Sequence, residues 1–164
     1  MSDLSALVSY SLRTLLSETM LNAPKHGGFI LNAGEPGFVE TMKGLSAEVA
    51  SKSPGPNRKA TVAHANHVLF GWELIVRSLA GEDAFAGADW NAAWKLVQVN
   101  DAEWAALVAR LEQTAQQIRD TAPQHQFKEE IMLTGHFATA AHTAYHLGAI
   151  RQIMLELQVS PLPS

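Results

Sequence analysis

Apolar residues recur every three or four positions along four long stretches of this sequence, and this spacing is typical of helices that bury one face. The stretches cover about residues 3–22, 59–80, 101–122 and 127–158. No stretch alternates apolar and polar residues in the manner of a half-buried strand. The pattern therefore predicts an all-α fold built around four long helices.

Glycine and proline mark the connections between these helices. Residues 23–37 have the sequence APKHGGFILNAGEPG, which predicts a long loop after the first helix. A short helix is expected over about residues 38–51, before the breaker sequence SPGPN. Residues 81–90 predict another loop, with a turn of helix from about Trp90 to Trp94. Four long helices with a long first crossover are typical of a four-helix bundle, whose core can hold a metal between facing helices.

Local signals also bear on two of these segments. Asn100 or Asp101 suits the N-cap of the third long helix, Glu103 falls in its first turn, and Pro123 ends the region. The apolar face of this helix is formed by Trp104, Leu107, Val108, Leu111, Ala115 and Ile118. The long crossover carries few apolar residues to anchor it, so we expect it to be the most mobile ordered segment.

The composition excludes several classes of site. The 164-residue chain has no cysteine, so it has no disulfide, thiolate metal site or cysteine nucleophile. A net charge of -4 gives no basic surface for nucleic acid or an anionic membrane. No window approaches the ~18 consecutive apolar residues that span a bilayer. Since the amino terminus also lacks the basic region of a signal peptide, we expect one cytoplasmic domain over residues 1–164.

Two histidines lie four residues apart in the segment AHTAYHLGAIRQ, at His142 and His146. Residues four apart in a helix share one face, so both imidazoles can bind the same ion. The spacing alone is weak evidence, because seven randomly placed histidines give roughly 0.3 such pairs. From spacing alone, an ordinary pair of core or surface histidines is the favoured interpretation.

The second long helix adds His64 and His67, in the segment KATVAHANHVLF. A facing helix can bring one of them to the open side of the pair, which makes three histidine ligands. Three imidazoles plus water are typical of a catalytic zinc site. His67 is the better ligand candidate because apolar residues follow it directly. His64 either lines the mouth of the same pocket, joining or replacing His67, or is a solvated residue at the helix start.

The other three histidines are not expected to be ligands. His26 lies in the glycine-rich loop, and His125 follows a helix-ending proline. His136 lies about 120° around the last helix from His142.

Candidates for supporting roles are fewer. Trp72 and Trp90 can line a pocket, although large aromatic residues more often pack in a core. Glu73 lies off the face of His67, so no general base has a recognisable position. Arg151 is expected to pair with a carboxylate in the bundle.

The segments TVAHANHVLFGWE, DWNAAW and HTAYHLGAIR together resemble the DinB-like superfamily of metal-binding four-helix bundles, and the similarity extends over about residues 3–158. The resemblance implies a divalent ion bound by His67, His142 and His146. Zinc and nickel are the first candidates, followed by manganese and iron. The chain departs from the family pattern at Ala149, where relatives often have glutamine next to the site.

The resemblance also implies what such a site would do. The leading hypothesis is a metal-dependent transferase or hydrolase that acts on a small molecule, with a low-molecular-weight thiol supplied from outside. The alternatives are a non-catalytic, metal-dependent small-molecule-binding or stress-response protein, and a helical interaction domain with coincidental histidines. A homodimer is expected by analogy with relatives.

Overall fold

The computed structural model describes residues 4–122 and 130–159, and this part of the chain contains α-helices and no β-strand. The helices are α1 (Leu4–Leu16), α2 (Phe38–Lys43), α3 (Ala47–Ser51), α4 (Thr61–Leu79), α5 (Asp101–Thr121) and α6 (Glu130–Glu156). A π-helical turn, Ser17–Leu21, continues α1, and a short 3-10 turn, Ala92–Trp94, precedes α5. The predicted all-α class is confirmed. None of these helices has the length and hydropathy needed to cross a bilayer.

The predicted helix over residues 38–51 is wrong, because two short helices occupy that span. Gly44 ends α2, and its N–H group binds the carbonyl of Glu40. Ser46 then starts α3 as an N-cap whose hydroxyl accepts the N–H of Val49. The predicted start of the last helix near residue 127 lies outside the described residues.

Helix α4 packs against both α5 and α6, and α1 packs against the same two helices. The predicted apolar face of α5 is confirmed, since all six of its residues are buried. Asn100 and Glu103 form a complete capping box at its start. The side chain of Trp104 donates a hydrogen bond of 2.8 Å to the carbonyl of Leu45, which joins α5 to the connection between α2 and α3.

Helix α6 buries several polar residues and leaves some of its large apolar residues exposed. Ile150, Ile153 and Met154 are buried, whereas Ile131 and Tyr145 are 72% exposed. Polar residues take their place in the interior: His136, Thr139, Thr143 and His146 are all buried. The hydroxyl of Thr143 accepts the indole N–H of Trp72 at 3.0 Å, so a polar contact links α6 to α4. The inner surface of α6 is therefore adapted to hold polar groups.

The carboxylate of Glu18 anchors the long crossover (residues 23–37) through hydrogen bonds. This side chain is 1% exposed and accepts N–H groups from Phe29, Ile30 and Leu31 at 2.5 to 2.9 Å. A Cβ atom at Gly28 would lie 2.0 Å from Oε1 of Glu18, so only glycine fits there. These contacts anchor a loop in which the sequence shows few apolar anchors.

Arg151 provides a second anchor for the same loop. Its guanidinium donates to the carboxylate of Glu35 and to the carbonyl of Pro36, both at 3.0 Å. Arg151 thus pairs with a carboxylate as expected, although Glu35 lies in the crossover and not in a helix.

Candidate metal centre

The facing surfaces of α4 and α6 bring four histidines together. The two helices run antiparallel, since Ser78 of α4 contacts Met132 near the start of α6, whereas His64 contacts His146 farther along it. His67 meets His142 between these two contacts. The register of the two helices therefore places both histidines of α4 against both candidate ligands of α6.

Three imidazole nitrogens converge at the centre of this cluster. The Nε2 atom of His142 lies 3.2 Å from Nε2 of His67 and 3.0 Å from Nε2 of His146. An ion about 2.0–2.1 Å from each nitrogen would separate its ligands by about 3.3 Å in a tetrahedral set and about 3.0 Å in a facial octahedral set. The observed spacings match this range, so the three residues fit a divalent metal ion.

His64 joins the cluster without replacing His67. Its Nδ1 atom lies 3.0 Å from Nδ1 of His146, on the side of that ring opposite the triad. If Nε2 of His146 bound a metal, the proton of this ring would sit on Nδ1, and the Nδ1–H group would donate to the unprotonated Nδ1 of His64. Such a contact orients a metal-binding imidazole and sets its tautomer. The structure thus separates three candidate ligands from one supporting histidine.

Two tryptophans pack against His67, one of the three candidate ligands. The ring of Trp94 stacks on His67 with a centroid distance of 4.1 Å, and Trp90 lies 5.5 Å from the same imidazole. The predicted turn around these tryptophans is confirmed, and Asn66 ties it to α4 through a 2.8 Å hydrogen bond to the carbonyl of Ala93. Trp94 is a site residue that the sequence interpretation missed, although the DWNAAW segment contains it.

Burial keeps these imidazoles neutral. Burial, with a smaller contribution from the neighbouring histidines, lowers the pKa of His67 to about 4 and that of His146 to about 3. Burial also lowers the pKa values of His64 and His142. Unprotonated ring nitrogens are the form that binds metal, so the cluster is ready for an ion at neutral pH.

The donor set contains nitrogen alone within residues 4–122 and 130–159. The group of potential ligands there consists of His67, His142 and His146, with no Asp or Glu. Nδ1 of His67 is buried and has no hydrogen-bond partner in the described part of the chain. His67 therefore lacks, among the described residues, the second contact that His146 has at its Nδ1.

The other predicted candidates lie away from the triad. His26 is exposed in the crossover, and Nδ1 of His136 faces the carbonyl of Met132 at 2.7 Å. Glu73 forms an ion pair with Arg110 of α5, which agrees with its predicted position off the histidine face.

Trp72 belongs to the core at 1% exposure, and its predicted alternative role as a core residue is confirmed. His125 lies outside the described residues.

Comparisons with models of known protein families, with curated proteins and with solved structures found no match to this chain. The assignment of the centre therefore depends on its own geometry. Three neutral nitrogens from two facing helices approach one point, two of them on buried residues and one on the half-buried His142, and the described residues supply no fourth protein ligand to close the set. This arrangement is typical of a metal site that keeps a position for an exogenous molecule.

Proposed function

We propose that this protein is a metal-dependent enzyme of the DinB-like type, a four-helix bundle with a divalent ion held by His67, His142 and His146. The observation that carries the proposal is the convergence of the three Nε2 atoms, with separations of 3.0 and 3.2 Å about His142. A set of three histidines leaves room for a substrate atom at the ion. The proposed reaction is a thiol-dependent transfer or a hydrolysis.

The donor chemistry supports a transition metal. Neutral imidazoles suit zinc, nickel and iron, whereas magnesium and calcium prefer oxygen ligands. Zinc and nickel remain the first candidates, and iron and manganese follow. A divalent ion at such a site supplies Lewis acidity, which lowers the pKa of a water or thiol that it binds.

The chain's own residues would prepare this site in two ways. His64 holds the Nδ1–H group of His146 and keeps its Nε2 turned toward the centre. Trp94 covers one face of His67 and limits the access of water. The chain has no cysteine, so the thiol of a transferase reaction would come from a separate molecule.

One observation favours a non-catalytic alternative. No carboxylate of the described residues belongs to the triad's group, so a general base beside the substrate position is missing there. A metal-dependent small-molecule-binding or stress-response protein would not need such a base.

Elemental analysis of triad variants tests the metal site. His67→Ala, His142→Ala and His146→Ala each remove one nitrogen ligand, and each should weaken metal affinity by more than about 100-fold, since even supporting residues of metal sites contribute about 10–100-fold. His26→Ala is the matched control, because His26 is exposed in the crossover. Full metal occupancy in a His142→Ala, His146→Ala double variant would refute the assignment of these residues as metal ligands.

A cobalt-substituted sample distinguishes the reactions. If the open position accepts a thiol, adding cellular thiols should produce a sulfur-to-cobalt charge-transfer band, and the bound thiol should titrate well below about 8.5. The same thiols with electrophilic acceptors are then assayed for turnover. A spectrum unchanged by every thiol would rule out the transferase and leave hydrolysis or binding.

A further inference from the structure

A cleft between α4 and α6 extends away from the triad. Its inner part has a volume of about 270 Å³ and includes His142 in its wall. Its outer part has a volume of about 500 Å³ and reaches Glu82 and Asp83, which follow the end of α4. One end of this cleft therefore lies at a proposed metal ligand, and the other end lies at two acidic residues.

The two parts adjoin each other along the same helices. They share Ile75 of α4, Gly135 of α6 and Phe85 of the intervening loop in their walls. Ten helical positions separate His142 from Met132, which lines the outer part, and this corresponds to about 15 Å. The cleft is thus long enough for an extended small molecule with one end near the metal.

The inner part is almost wholly apolar. Trp90 and Phe85 form one side, and Ile75 forms part of another. Trp72 and Thr139 also line this part, but the indole N–H of Trp72 donates to Thr143 and the hydroxyl of Thr139 donates to the carbonyl of Gly135. A ligand here would gain most of its binding from apolar contact.

Gly135 keeps the floor of the cleft open. A Cβ atom added at this position would meet no atom within 4 Å, so the absence of a side chain is not required for helix packing. Both parts of the cleft include this residue. A larger residue at position 135 would therefore project into free space where the two parts join.

The charged residues that the structure describes in the cleft walls are acidic. Among residues 4–122 and 130–159, neither part includes a lysine or arginine in its wall, whereas Glu82 and Asp83 line the outer part. Arg77 donates to Glu82 at 2.7 Å and offsets one of these carboxylates. Asp83 is exposed and adds negative charge at the outer end. This end would repel an anion and attract a cation.

We propose that this cleft binds the substrate of the enzyme, and that the substrate is an extended, mainly apolar small molecule. Its end remote from His142 is uncharged or carries an amine. The assignment rests on the proposed function, because it places the substrate's reactive end at the metal. Carboxylates and phosphates of the same length should bind more weakly, since the described residues of the cleft walls offer them no cation.

Three probes of equal length and different charge test the specificity: 6-phenylhexylamine, 6-phenylhexanol and 6-phenylhexanoate. Their affinities for the purified protein are measured by calorimetry at pH 7.5. The amine and the alcohol should each bind at least about tenfold more tightly than the carboxylate, because only the carboxylate meets charge repulsion. Equal or tighter binding of the carboxylate would overturn the proposal.

A matched pair of variants tests the location. Gly135→Leu fills the junction and should weaken binding of the amine at least about tenfold, while Gly135→Ala causes a smaller loss. Gly148→Leu is the control, since Gly148 also lies in α6, also has nothing within 4 Å of an added Cβ atom, and lines neither part of the cleft. Unchanged affinity in Gly135→Leu, or an equal loss in Gly148→Leu, would contradict the assignment.

Metal content separates this proposal from the one on which it rests. Gly135→Leu should retain the metal content of the unaltered protein, because the residue lies two helical turns from His142. A protein that binds the amine through position 135 but binds no metal would support the cleft and refute the metalloenzyme. A protein that binds metal but none of the probes would refute the cleft alone.

Discussion

Acidification should destabilise the metal-free protein through His67 and His146. Both imidazoles have an unperturbed pKa of 6.5, which the fold lowers to about 4 and about 3 respectively. At a pH between these values and 6.5, the two imidazoles are protonated in the unfolded chain but neutral in the folded chain. Stability is therefore highest above about pH 6.5 and is lost as the pH falls toward the folded-state pKa values.

The size of the effect follows from these shifts. At pH 5 an unfolded histidine lies about 1.5 pH units below its pKa, and one unit corresponds to about 1.36 kcal/mol, so each residue costs about 2 kcal/mol. The two together cost up to about 4 kcal/mol, which is a large share of a domain's typical stability of about 5–15 kcal/mol. Both side chains are less than a tenth exposed, so solvent screens the effect little.

Urea unfolding followed by tryptophan fluorescence measures this loss, with a chelator present at pH 8 and at pH 5. The double variant His67→Gln, His146→Gln should lose about 4 kcal/mol less than the unaltered protein over that interval. His26→Gln, in the exposed part of the crossover, should behave like the unaltered protein. Carboxylates with lowered pKa values, such as Glu35, titrate below this interval and cancel in the comparison.

Identical pH dependence in the double variant and the unaltered protein would refute the reasoning. It would mean that both imidazoles accept protons in the folded state as readily as in the unfolded state, so that burial does not keep them neutral. Imidazole titrations followed by NMR would then show pKa values near 6.5.

Further predictions concern the supporting residues. His64→Phe should weaken metal affinity about 10–100-fold without changing the stoichiometry of one ion per chain, as measured by competition with a chelator; unaltered affinity would exclude a supporting role. Glu18→Gln should lower the free energy of unfolding by about 2–4 kcal/mol, because an amide cannot accept all three N–H groups of the crossover, and a loss under 1 kcal/mol would argue against that anchor. Asn100→Ala should lower the free energy of unfolding by about 1 kcal/mol through the lost cap of α5, and an unchanged free energy of unfolding would argue against that cap.

Local signals in the sequence were enough to predict α5. Asn100 and Glu103 form the capping box at the start of α5, and the apolar residues that follow recur on one face of the helix. Each of these effects acts between residues a few positions apart. They operate in the same way whatever the rest of the chain does, so the boundaries and the buried face of α5 agree with the prediction.

Tertiary contacts decided which face of α6 is buried. Thr143 and His146 are inside because Trp72 and His64 of α4 offer them hydrogen-bonding partners there. Tyr145, with its larger apolar surface, is left exposed. Apolar periodicity predicts a buried face only where the partner surface is apolar, and the partner surface of α6 belongs to another helix.

The same division applies to the candidate metal centre. Helix geometry alone places His142 and His146 on one face, so the sequence determined that they can act as a pair. The antiparallel register of α4 and α6 decided that His67 meets the pair at Nε2 while His64 meets the far side of His146. Distances between side chains on different helices depend on how the helices pack, and a one-dimensional pattern of residues does not contain that information.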